Sequence, residues 1–103
     1  MSNSRLLLEI NKSIKDLNQS IINPEIEELK LDDLAPVIEM VARARALYLK
    51  QVLETANSLE GKSPSTEQIK RLQHLRISFE ELSKGSQALE CAIERGYLDV
   101  QSS

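Results

Sequence analysis

The sequence predicts an all-α protein: a long antiparallel helical hairpin (about residues 33–60 and 64–95) with an N-terminal helix (about 4–22). Three observations predict it. Apolar residues recur at spacings of three and four along most of the chain. The apolar volume comes from Leu, Ile, Val and Ala, with aromatics at 3% and only three glycines and three prolines in 103 residues, a composition that suits helical bundles and coiled coils. The strongest breaks fall in two short stretches, NPEIEELKLDD from Asn23 and GKSPSTEQ from Gly61.

The first helix is marked by Leu7, Ile10, Ile14, Leu17 and Ile21, one narrow stripe that Leu6 widens, with Glu9, Lys12 and Asp16 on the opposite side. Residues 23–33 read as a linker or a short helix. Asn23 can cap, Pro24 suits a first helical position, and the acids from Glu25 to Glu28 favour a helix N-terminus. Asp32 or Asp33 is the expected cap of the second helix, which puts Pro36 in its first turn, where proline is tolerated. That helix should end at Gly61.

Two stripes mark the second helix. Leu34, Ile38, Val41, Tyr48, Val52 and Leu59 form one; Ala42, Ala46, Leu49, Leu53 and Ala56 form its neighbour. So wide an apolar face implies two neighbours, so this helix is expected at the centre, its second stripe covered by helix one or by another copy of the chain. The third helix starts either at Ser63 before Pro64 or at Ser65 with Gln68 three residues on. Its stripe is Leu72, Leu75, Phe79, Leu82, Leu89 and Ile93. Gly96 should end it, with Leu98 folding back. Gly85 is expected either to kink it or to admit a close neighbour.

The chain is long enough for a single domain with one core. Its net charge of −3, with basic residues spread among acids, argues against nucleic acid, whose binders carry a basic stripe. A dimeric RNA-binding bundle is therefore a third-ranked reading, supported only by Arg43, Lys50, Lys70 and Arg71. The lone Cys91 forms no internal disulfide and reads as a small packing residue. In MSNSRLLLEI a three-leucine run is cut by Glu9, which does not make a secretory leader, and no apolar stretch reaches bilayer length. The expected home is the cytoplasm.

Candidate chemistry is sparse. No acid–base pair, nucleophile set or phosphate-cradling loop is recognisable, so no catalysis, cofactor, metal or small-molecule substrate is expected. His74, the only histidine, lies opposite the apolar stripe of the third helix and should be exposed. Histidine phosphotransfer domains display such a residue, but they carry lysine and then glycine three and four positions later. Here those positions are Ile77 and Ser78, so phosphotransfer through His74 stands as the alternative function. Arg45 falls among Val41, Tyr48 and Val52, where a cation must find a partner or reach water. Glu80 is the expected partner within the chain; otherwise Arg45 and Tyr48, both residue types common at binding hot spots, face a partner. Leu47 and Ile77 point away from the main stripes and could form a second contact surface if the hairpin brings them together. The leading expectation is a helical module that binds another protein or a second copy of itself through an apolar face.

Overall fold

The computed structural model describes residues 2–101 and shows three helices, α1 (Ser2–Ile22), α2 (Leu31–Ser58) and α3 (Thr66–Glu94), with α2 and α3 packed together. Contacts divide the chain into two compact units. One joins Met1–Leu34 with Ala88–Ser103; the other is Ala35–Gln87.

The second unit is the helical hairpin. From α2, Val37, Val41, Ala44, Tyr48, Gln51 and Thr55 are buried or half-buried, and their spacings alternate between four and three. Within this unit Leu72, Leu75, Phe79 and Leu82 of the α3 stripe are half-buried, as the periodicity predicts. Alternation of three and four keeps one seam of a helix against its neighbour. On α2 that inner seam is shifted from the predicted one: Ile38 and Val52 are exposed, while Val37 and Ala44 take places inside.

The inner seam turns polar where the hairpin closes. Thr55, only 4% exposed, accepts a hydrogen bond at Oγ1 from Gln51 Nε2 (3.1 Å), and Gln51 Oε1 accepts from Arg71 Nε (2.7 Å). Ser58 Oγ donates to the Thr55 carbonyl (2.8 Å) and accepts from Gln68 Nε2 (3.0 Å). Gln68 also completes a reciprocal capping box: its Oε1 accepts from the Ser65 N–H (2.8 Å), and its own N–H donates to Ser65 Oγ (3.1 Å). Of the two starts open in the sequence, the one at Ser65 is therefore used. The turn before it has both central residues left-handed, Glu60 (φ 49°) and Gly61 (φ 80°). The Lys62 N–H donates to the Leu59 carbonyl across it (2.9 Å). α2 thus stops at Ser58, two residues before the expected end.

Three further expectations are corrected. Lys30, not Asp32 or Asp33, occupies the cap of α2. Asp33 sits at the third helical position and reaches back to accept the Lys30 N–H (2.9 Å), the half of a capping box that an acid at that position supplies. Because α2 starts at Leu31, Pro36 lies in the second turn, where its missing N–H leaves the Asp32 carbonyl without its helical donor. α3 runs through Gly85 without a break, and apart from the helix's own adjoining backbone no atom lies within 4 Å of where a Cβ would stand there. Gly85 therefore admits no close neighbour.

In the first unit the segment after α1 is a turn at 23–26 followed by extended chain, not a helix. Asn23 grips Asp99, donating to Oδ2 (3.0 Å) and accepting the Asp99 N–H (3.1 Å). Leu29 bridges in parallel to Val100: its N–H donates to the Asp99 carbonyl (3.0 Å), and its carbonyl accepts from Gln101 (2.8 Å). α3 ends as predicted, with Gly96 left-handed (φ 75°). The Tyr97 N–H donates to the Ala92 carbonyl (2.9 Å) and the Gly96 N–H to Ile93 (3.1 Å), the two bonds of a Schellman ending. Leu98 then folds in at 5% exposure, the one buried apolar residue among those described.

Candidate functional site

The candidate site is the outer side of α2 within the hairpin unit. Moving one residue along from the inner seam gives a second seam with the same alternation: Ile38, Ala42, Arg45, Leu49, Val52 and Ala56, every one exposed. Leu53, beside it, is 66% exposed. One residue on a helix is about 100° of rotation, so a helix apolar over more than half its girth carries two seams and α3 can cover only one.

Arg45 is the only charge in the outer seam. Its guanidinium carbon lies 5.1 Å from the centroid of the Phe79 ring, within cation–π range. Phe79 in turn stacks with Tyr48, centroids 6.4 Å apart and planes inclined by 25°. Glu80, the expected partner of Arg45, pairs instead with Arg76 one turn before it on α3 (3.1 Å). An i,i+4 pair on one helix needs no agreement between helices, whereas Arg45 would have to reach Glu80 across the hairpin. Arg45 therefore lays its guanidinium over the Phe79 ring while the residue stays exposed.

Leu47 is 59% exposed and lies in a shallow groove of about 440 Å³, whose apolar floor it shares with Met40 and Leu82 and whose rim carries Glu39 and Arg43. Arg43 donates through Nε (3.0 Å) and Nη2 (2.6 Å) to Glu39 Oε1. Ile77 is 51% exposed and lines none of the grooves that hold Leu47. Tyr48 lines a separate groove with Ile69, Leu72, Gln73 and Arg76. The structure thus joins Arg45 and Tyr48 through Phe79, and Leu47 to Met40 and Leu82, and places Ile77 in neither group. Met40 and Phe79 were missed as site residues. Phe79 is the only phenylalanine in the chain, a signal that could have pointed to it.

His74 is exposed on α3, as expected of it. Three of the four cations that would support RNA are engaged within the chain: Arg43 with Glu39, Lys50 with Glu54 (3.8 Å) and Arg71 with Gln51. Among the described residues no group of three or more His, Cys, Asp or Glu could hold a metal ion, and no helix is long and apolar enough to cross a membrane. No family model matches this chain, and neither a curated protein nor a solved structure resembles it.

Proposed function

We propose that the chain is a non-enzymatic protein-interaction module that receives an amphipathic helix of a partner on the outer seam of α2. The observation that carries this reading is the exposure of Ile38, Leu49, Val52 and Leu53 along one line of the hairpin. Contiguous exposed apolar stripes of this kind mark binding surfaces in soluble proteins. Ala42, Ala46 and Ala56 alternate with the larger residues, so a second helix can approach closely between the leucines. Arg45 at the middle of the line asks for a carboxylate on the incoming helix. Its guanidinium is already placed by Phe79, so little side-chain freedom is lost when that pair forms.

A photo-crosslinking residue placed at Leu53 tests the reading in cells. Protein adducts should form at Leu53 and not at Lys70, which is exposed on α3. Leu49→Lys should abolish the Leu53 adducts. Absence of adducts at Leu53, or equal yields at Lys70, overturns the reading.

A further inference from the structure

We propose that α1 is a self-association helix, its seam of Leu7, Ile10, Ile14, Leu17 and Ile21 pairing with the same seam of a second copy of this chain. This rests on reading the chain's exposed apolar lines as protein-binding surfaces, but it assigns a different line and names its occupant.

The spacing of these five residues alternates three, four, three, four, two full heptads that keep a single seam toward a facing helix. They span about 21 Å at 1.5 Å per residue. All five are 42–66% exposed. Within its own unit α1 engages the C-terminal segment through another side. Asn11 and Lys15 line a small cavity with Arg95 and Tyr97, the Lys15 side chain lies within 3.0 Å of where a Cβ on Gly96 would stand, and just after α1 Asn23 holds Asp99. Ile14 borders that cavity; Leu7, Ile10, Leu17 and Ile21 do not line it. Folding of the unit leaves the seam unspent.

Charge selects the occupant. The positions flanking the seam are Leu6, Asn11, Ser13, Asn18 and Ser20, none of them ionisable. All the ions of α1 (Arg5, Glu9, Lys12, Lys15 and Asp16) lie beyond those flanks. Flanking charges are what fix partner choice in paired helices; a seam without them meets its own copy with no like charges opposed. An antiparallel pair about a two-fold axis level with Lys12 sets Leu7 against Leu17 and Ile10 against Ile14, like with like, leaves Ile21 at the edge opposite Asn3, and closes after two copies. The polar side of α1 carries mixed charge, whereas helices that lie on membranes are rich in Lys and Arg there.

The test is the molar mass of the full purified chain by light scattering across a wide concentration range, with Leu17→Lys on the seam and Leu53→Lys on α2 as control. The parent and Leu53→Lys should run at twice 11.6 kDa. Leu17→Lys should run at the single-chain mass with unchanged helix content by circular dichroism. Ile10→Asn, a milder change on the same seam, should raise the dissociation constant at least about tenfold, one polar substitution's worth of lost apolar burial, so that misfolding of one variant cannot decide the matter. A parent at single-chain mass throughout, a Leu17→Lys that stays dimeric, or a Leu53→Lys that dissociates equally overturns the inference. A monomer that still forms Leu53 adducts in cells loses this inference alone; a monomer without adducts loses the interaction reading as well.

Discussion

Replacing Gln68 with alanine severs two different bonds at the closed end of the hairpin. One is the back-bond of the capping box to the Ser65 N–H; the other ties α3 to Ser58 at the end of α2. Loss of a cap bond costs about 1 kcal/mol, and an exposed neutral hydrogen bond between helices about 0.5–1 kcal/mol. Alanine's better helix propensity returns a few tenths. The net loss is about 1–1.5 kcal/mol, a fall in Tm of roughly 4–10 °C for a domain of this size. Ser58→Ala removes the same interhelical bond from the other side, along with its bond to the Thr55 carbonyl. Each single variant and the double variant would be unfolded thermally and in urea at equal protomer concentration, because self-association shifts apparent stability. The double variant should be less destabilised than the sum of the singles by about 0.5–1 kcal/mol. Losses that add to within about 0.3 kcal/mol would show that Gln68 and Ser58 do not act together, and would refute the polar clasp.

Two substitutions on α3 should raise stability. Gly85→Ala has open space for its Cβ and should gain about 1 kcal/mol, the helix-propensity difference; a loss in urea titration would mean the site is crowded or bent after all. Ser83 Oγ is buried with no hydrogen-bond partner, so Ser83→Ala should gain up to about 1 kcal/mol by removing an unsatisfied hydroxyl, read as a higher urea midpoint at unchanged slope. Gly96→Ala should lose about 1–2 kcal/mol, because φ of 75° places its Cβ against the following carbonyl, whereas the Lys15 side chain that it would meet is flexible and can move. Equal stability of Gly96→Ala in thermal melts would refute the left-handed ending of α3.

Local signals read well from the sequence, and for a common reason. The Ser65–Gln68 box, the Gly96 ending and the stripe of Leu72, Leu75, Phe79, Leu82, Leu89 and Ile93 depend on partners three to five residues away, so spacing alone specifies them. The cap of α2 was misplaced for the same local reason. Asp33 serves the helix start from its third position as well as it could from the cap, and the two roles look alike in sequence. Of the candidate site, Arg45 and Leu47 were legible as residues out of place on the helical wheel, and Tyr48 as a member of the apolar stripe beside Arg45. Their partners were not, because Phe79 and Leu82 reach them across the hairpin.

By itself, then, the sequence determined the three helices, most of their ends, and the fact that α2 is apolar on two adjacent seams. Only the tertiary structure decided which seam α3 covers. Val37, Val41, Ala44 and Tyr48 go inside, and Ile38, Ala42, Arg45 and Leu49 stay out. Periodicity reports which residues share a face, but not which neighbour takes it. Two seams 100° apart can bury similar apolar volume, and the choice falls to the pairings that close the hairpin: Thr55 and Gln51 near the turn, and Tyr48 against Phe79 further along.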